Sequence, residues 1–177
     1  MSFNDIPAGK DLPNDINVII EIPANHDPIK YEVDKDSDAI FVDRFVATPM
    51  FYPANYGYVP QTLSEDGDPL DVIVLGEQLQ KGSVVEIKLI GILKMLDNDE
   101  IDDKLIAVMV NNSIFSSVDS FNELKKSYQG ITEILEIWFT NYKGSKKIVL
   151  NGFENEQKAL EVFKSAREQY KNHNDKN

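Results

Sequence analysis

The chain has 177 residues, 42% of them hydrophobic and 27% charged, the balance of an ordinary globular protein and long enough to bury one real core. A single domain, 1–177, is the expectation. There is no cysteine, which excludes disulfides and thiolate metal sites, and the formal net charge of −12 opposes binding to nucleic acid or to an anionic membrane.

The opening segment MSFNDIPAGK carries neither a basic n-region nor an apolar h-region, so no signal peptide is expected and a cytoplasmic location is the default. INVIIEIP is β-branched and predicts a strand. IKYEVD and AIFVDRF predict a hairpin joined at KDSD. TPMFYPANYGYVP holds three prolines and predicts irregular or short-stranded chain. DVIVLG, SVVEIKLIGILKML and KLIAVMV predict further strands, separated by EQLQKG and by the acidic DNDEIDD. From Asp119 the period lengthens. VDSFNELKKSY and ITEILEIWFTNYKG predict helices, the second with Ile131, Ile134, Leu135 and Trp138 on one face. KKIVLNGF predicts a short strand. ENEQKALEVFKSAREQYKNH predicts a C-terminal amphipathic helix with Leu160 and Phe163 inward, and NHNDKN a frayed tail. Strands first and helices after predict an α+β, mainly β fold: a small barrel with helices packed outside.

The densest chemistry lies in LSEDGDPLDVIVLG, where Asp66, Asp68 and Asp71 stand within six residues. Carboxylates gathered so closely repel one another unless they hold a cation or tune one another for acid–base work. A solvated turn explains a single such cluster equally well, since Asp-Gly and Asp-Pro pairs are ordinary turn chemistry. A calcium EF-hand does not. Counting from Asp66, Leu70 and Asp71 fall where that loop needs a ligand and a glycine, and VIVL predicts a strand where it needs a helix. A second cluster, LDNDEIDDK, offers Asp97 and Asp102 with Lys104 beyond. If both loops reach one mouth of the barrel, they supply the all-oxygen surroundings that Mg²⁺ prefers. Lys30 and Glu32, two apart on a strand, share a face. Arg44 follows on the next strand, while Glu21 faces away from Ile20 and Ile22; each of these also suits an ordinary barrel exterior. Tyr52, Tyr56 and Tyr58 sit in one bend, where packing is the commoner use of tyrosine and phosphoryl binding by the hydroxyl the rarer.

DGDPLDV matches the signature Asp-x-Asp-Pro-hydrophobic-Asp-hydrophobic of the soluble family I inorganic pyrophosphatases, and AGKDLP, IEIPAN, PIKYE, FVDRF, YPANYGY, LKM and NYKG resemble their other motifs in order. The resemblance implies a distorted five-stranded barrel of the OB-like type with helices outside, and Mg²⁺-dependent hydrolysis of pyrophosphate to two orthophosphates. It implies that Asp66, Asp71, Asp97 and Asp102 are metal ligands supported by Glu21, and that Asp68 is the general base with Tyr56 beside the attacking water. It further implies phosphate binding by Lys30, Arg44, Tyr56, Lys104, Tyr142 and Lys143, with Glu32 and Tyr52 lining the site. Two metals about 3.5–4 Å apart can bridge a water, lower its pKa and hold it in line with phosphorus. In length the chain resembles the bacterial members, which implies a homohexamer. Residues Met109 to Thr140 match poorly, and the helix from Ile131 lacks the histidines common at subunit contacts there. An apolar contact through Ile137 and Trp138 is therefore expected. A nucleic-acid-binding barrel is disfavoured by the charge, a nucleotide phosphohydrolase by the lack of a Walker loop, and the Asp-His-His pyrophosphatases by a chain with only His26 and His173. A calcium-binding module without catalysis is the remaining rival, and phosphate release separates it.

Overall fold

The computed structural model describes residues 2–46, 50–111, 113–144 and 148–175. Part of the predicted segment TPMFYPANYGYVP, at Thr48 and Pro49, lies outside the described residues, as do Lys146 and Lys147 of KKIVLNGF and the last two residues of the expected tail. In chain order the strands are β1 (Ile16–Ile22), β2 (Ile29–Asp34), β3 (Ala39–Phe45), β4 (Asn55–Tyr58), β5 (Asp71–Leu75), β6 (Val84–Asp97), β7 (Glu100–Ile101) and β8 (Lys104–Met109). Then come the helices α1 (Phe121–Ser127) and α2 (Gln129–Asn141), the strand β9 (Ile148–Asn155) and the helix α3 (Glu156–Asn174).

Five of these strands close on themselves. β1 pairs with β4, β4 with β5, β5 with β8, β8 with β6, and β6 returns to β1. The β5–β8 pairing is parallel; the others in the circuit are antiparallel. The fold is thus mainly β, with a closed, uneven five-stranded barrel and three helices. Closure explains why β5 and β8 read as unbroken apolar runs. Every residue of β8 is buried, Lys104 included, because a closed sheet with helices outside leaves these strands no solvent face. At fourteen residues, β6 serves two partners on one side. Its start pairs with β1, and its end continues past the barrel to pair with β7 and β9.

Gly57 makes one contact of the barrel possible. A Cβ there would lie 1.9 Å from the carbonyl oxygen of Ile19, so only glycine lets β4 lie this close to β1.

The core has two main lobes. One joins the barrel to α1 and α2 through Leu93, Ile106, Leu124, Leu135 and Phe139; the other joins it to α3 through Val72, Ile92, Ala159 and Phe163. Ser120 caps α1 by accepting from the Glu123 N–H, and Asn155 caps α3 by accepting from the Lys158 N–H, each satisfying an otherwise unpaired first-turn donor.

Three expectations are corrected. In α2 the buried residues are Thr132, Leu135, Trp138 and Phe139, while Ile134 is exposed. The inward face is rotated because the aromatic side chains Trp138 and Phe139 pack against Tyr52, Tyr56 and Tyr142. Trp138 is consequently only 3% exposed and does not stand outside the chain's own core; Ile134 and Ile137 do. Finally, α3 runs to Asn174, so Asn172, His173 and Asn174 of the expected tail are helical. Phe163 points inward as read, with Ala159 and Ala166 as its buried companions and Leu160 at the margin.

β2 and β3 form a separate two-stranded hairpin beside the barrel. Its second strand is largely exposed, with Phe41, Val42 and Phe45 open to solvent.

Candidate active site

Every residue singled out in the sequence lines one cavity of about 410 Å³. Five segments build it: the end of β1 (Glu21), the hairpin (Lys30, Glu32, Arg44), the bend and β4 (Tyr52, Tyr56), the loop entering β5 (Asp66, Asp68, Asp71), and the β6–β8 turn (Asp97, Asp102, Lys104). Tyr142 and Lys143 follow α2 at its edge.

The loop before β5 is ordered by its own polar groups. Asp66 Oδ1 accepts from the Asp68 N–H at 3.0 Å, Ser64 N–H donates to Asp68 O at 2.7 Å, and Gly67 N–H donates to Ser64 O at 3.1 Å. Gly67 has φ +89°, a left-handed conformation that glycine adopts without strain. It turns the chain so that Asp66 and Asp68 can both serve the cavity. Below the loop, Leu70 N–H donates to Thr62 Oγ1, which itself donates to Val59 O. That buried bridge ties the loop to the end of β4.

Lys104 is the electrostatic centre. It is 3% exposed, and its Nζ lies 2.5 Å from Asp71 Oδ2 and 2.5 Å from Asp102 Oδ1. Burial alone would lower its pKa, but the two carboxylates outweigh that and hold the ammonium above its ordinary range. Asp102 is pushed up by burial, an effect that Lys104 only partly offsets. Tyr56 donates to Asp71 Oδ2 at 2.7 Å, and burial followed by the Asp71 charge raises the phenol well above its usual value, so it stays a donor. Lys143 pairs with Asp97. Lys30 lies 2.8 Å from Asp43 and 3.6 Å from Glu32, and Asp43 also accepts from Arg44 Nε at 3.1 Å. Behind these groups the Tyr52 ring packs tilted against Trp138 at 4.2 Å between centroids, and Trp138 stacks on Tyr142 at 4.7 Å.

Glu21, which in the sequence also suits a barrel exterior, is only 6% exposed. The hairpin covers that side of β1, and Glu21 Oε1 accepts from the Val33 N–H at 2.7 Å. Burial pushes its pKa up to about 8, against the lowering effect of that bond. The cavity also takes in residues not singled out for it: Lys35, Tyr58 and Glu100. Lys35 belongs to KDSD, which reads in the sequence only as the joint of the hairpin. Tyr58 was noted only as one of three tyrosines in a bend, and Glu100 only as part of an acidic run.

Eight carboxylates and five cationic side chains line this space. The excess is anionic and all-oxygen, the chemistry of a hard divalent cation. Among the described residues no three acidic or histidine side chains converge on one point as they stand; Lys104, Lys143 and Lys35 lie against Asp71 and Asp102, Asp97, and Asp68. The donor set therefore fits such ions provided the ammonium groups yield oxygens to them.

Opposed carboxylates and cationic side chains at one mouth of a closed barrel suit the chemistry of a phosphoryl-group hydrolase. The family profile described as inorganic pyrophosphatase matches residues 18–171. Inorganic pyrophosphatase 1 of Pseudomonas syringae pv. tomato is 49% identical over 172 residues, covering 93% of this chain and 97% of the relative. The Escherichia coli K12 inorganic pyrophosphatase is 45% identical over 176 residues, covering 97% and 99%. Among solved structures, the inorganic pyrophosphatase from Thermus thermophilus superposes with a TM-score of 0.89 at 32% identity, covering 97% of this chain and 99% of that one. An N-terminally truncated vacuolar soluble pyrophosphatase of Trypanosoma cruzi, solved in complex with PPi, superposes with a TM-score of 0.85 at 27% identity, covering 97% and 78%. The chain belongs to the inorganic pyrophosphatase family, metal-dependent enzymes that hydrolyse pyrophosphate to phosphate.

Proposed function

We propose that this chain hydrolyses pyrophosphate to two orthophosphates with Mg²⁺ as its working ion and Asp68 as general base. The observation that carries the reading is the opposition within one cavity of the Asp66, Asp68, Asp71 and Asp102 carboxylates to Lys30, Arg44, Lys104 and Lys143. When bound, divalent cations supply charge neutralisation at the phosphoryl oxygens and a lowered pKa for water.

Asp66, Asp71, Asp97 and Asp102, supported by Glu21, hold the cations. Tyr56 fixes the Asp71 carboxylate through its 2.7 Å bond and lies beside the attacking water. Asp68 Oδ takes the proton of that water as its oxygen bonds to phosphorus. The bridging P–O bond breaks, and the departing orthophosphate keeps the electron pair. Lys30, Arg44, Lys104, Lys143 and the Tyr142 hydroxyl hold the phosphoryl oxygens as negative charge moves onto them. Glu32 and Tyr52 complete the wall. Lys104, charged and held between Asp71 and Asp102, would present its ammonium to a substrate oxygen at the edge of a cation site formed by those carboxylates.

The protein works as a single domain in the cytoplasm, without nucleic acid or membrane partners. The net charge of −12 supports the first absence, and among the described residues no helix is long and apolar enough to cross a membrane. It assembles as a homohexamer. The exposed Ile134 and Ile137 of α2 supply the apolar packing for a repeated, closed contact.

Phosphate release from pyrophosphate with Mg²⁺, run beside ATP, tests the activity. Pyrophosphate should be cleaved, ATP far more slowly, and excess chelator should abolish turnover. Undiminished turnover in chelator would defeat the cation requirement, and equal rates on ATP would defeat the substrate assignment.

A further inference from the structure

We propose that Lys35, at the tip of the β2–β3 hairpin, is a further substrate-contacting residue: its ammonium covers Asp68 in the free enzyme and passes to a pyrophosphate oxygen when substrate arrives. The proposal rests on the hydrolytic reading above and adds to it a residue and an exchange.

Lys35 Nζ lies 3.2 Å from Asp68 Oδ1. Both residues line the catalytic cavity, and both also line a neighbouring recess of about 670 Å³. The pair therefore forms part of the wall between two spaces. The recess is otherwise acidic, with Glu32, Asp34, Asp36 and Asp43 around it, so it repels an anionic substrate, and among its described lining residues Lys35 is the cation, joining Lys30 and Arg44 of the same hairpin.

The hairpin tip is braced from behind. Asn4 Nδ2 donates to Lys35 O at 2.7 Å, the Phe3 N–H donates to Asp38 Oδ1 at 2.7 Å, and Ser2 Oγ donates to the same oxygen at 3.1 Å. Phe3–Asp5 form a short 3₁₀ turn, which Ser2 and Asp5 cap reciprocally. On the barrel side, Glu21 holds the Val33 N–H two residues before Lys35. These anchors fix the backbone from which the long lysine stem reaches inward and leave its ammonium free to move.

The pair is suited to exchange. Lys35 is 41% and Asp68 67% exposed, so water screens their attraction and it holds the ammonium only weakly. Pyrophosphate carries more charge than one carboxylate, and its oxygens compete well for the same ammonium. Lys104, by contrast, is buried between two carboxylates. When Lys35 leaves, Asp68 is uncovered as substrate docks, which is when a base has to face water.

Steady-state kinetics and calorimetric binding of methylenediphosphonate, a non-hydrolysable diphosphonate, test this on the intact protein with Mg²⁺. Lys35→Met should raise KM and the diphosphonate Kd together by about tenfold, the loss of one partly screened charge-assisted contact, with kcat changed less than about threefold. Lys35→Arg should restore both to near the parent values. Asn4→Ala, which loosens the brace without touching substrate, should raise KM by about two- to threefold. KM and Kd within twofold of the parent for Lys35→Met would overturn the proposal. So would equal impairment of Lys35→Arg and Lys35→Met, because charge would then not be what matters. A parent protein inert toward pyrophosphate would refute the hydrolytic reading, and the diphosphonate comparison would still decide whether Lys35 touches a diphosphate.

Discussion

The two halves of the cavity are built from opposite materials. Asp71, Lys104 and Tyr56 project from β5, β8 and β4, whose neighbouring residues Val72, Ile73, Leu105 and Ile106 are at most 1% exposed. Lys30, Glu32, Lys35 and Arg44 project from a two-stranded hairpin outside the barrel, with side chains 23%, 53%, 41% and 43% exposed. A close-packed interior transmits strain and tolerates little displacement. The barrel half holds Asp71, Asp102 and Lys104 in fixed positions and anchors the Asp66–Asp68 loop through the Leu70–Thr62–Val59 bridge, and the hairpin half can adjust its cations to a charged substrate. The barrel half is thus expected to govern kcat and the hairpin half KM.

Asp68→Asn should have the largest effect on turnover. Losing a general base costs roughly 10²–10⁴-fold in kcat, while KM for pyrophosphate should move little. Single-turnover phosphate release would measure it, and near-parent turnover at every pH would remove Asp68 from its role. Replacing Mg²⁺ by Ca²⁺ should also suppress turnover strongly. Ca²⁺ accepts larger, more irregular oxygen coordination, and a barrel that fixes Asp66, Asp71 and Asp102 cannot restore the alignment. Full activity with Ca²⁺ as sole cation would show the barrel half to be more compliant than its burial indicates.

Arg44→Lys should be milder and should fall on the other constant. Lysine keeps the charge but not the planar fork, so KM should rise roughly three- to tenfold at little cost in kcat. If Arg44→Lys instead lowered kcat as much as Asp68→Asn, the division between the halves would collapse.

The same contrast governs what could be read from the sequence. DGDPLDV is legible because its geometry is local: an aspartate accepts from the backbone two residues on, a glycine supplies the left-handed turn, and an apolar run enters the core. The hairpin is legible from its alternation and its KDSD turn. What long-range packing decides is not. Glu21 reads as a solvent-facing position because alternation along one strand cannot register the hairpin laid over its other side. The inward face of α2 depends on Trp138 meeting Tyr52 and Phe139 meeting Tyr56, contacts that cross more than eighty residues of chain. Lys35 is missed because nothing in KDSD indicates that a brace from Asn4 aims the turn at Asp68.

Glu21 joins the two halves, and the effect expected there is on stability rather than on rate. Burial, reinforced by the Asp71 and Glu32 charges and opposed by the Val33 N–H and Lys30, raises its pKa from the ordinary 4.5 to about 8. A carboxyl with a raised pKa stays protonated in the fold over a range where the unfolded chain has already released that proton. Between pH 4.5 and 8 the folded state therefore binds more protons than the unfolded state, so this group's contribution to stability falls as pH rises through the window and levels off above it. Each unit of such a shift corresponds to about 1.4 kcal/mol, enough to lower Tm by several degrees across the range. The measurement is calorimetric melting from pH 5 to 8 in chelator, so that cation binding does not offset the cost of ionising Glu21. Glu21→Gln keeps an oxygen to accept from Val33 N–H but cannot ionise, and it should flatten the decline with pH while leaving the acid end near the parent. A variant whose Tm falls with pH as steeply as the parent's would show that the carboxyl ionises freely, and that the hairpin is joined to the barrel by a charged group water can reach.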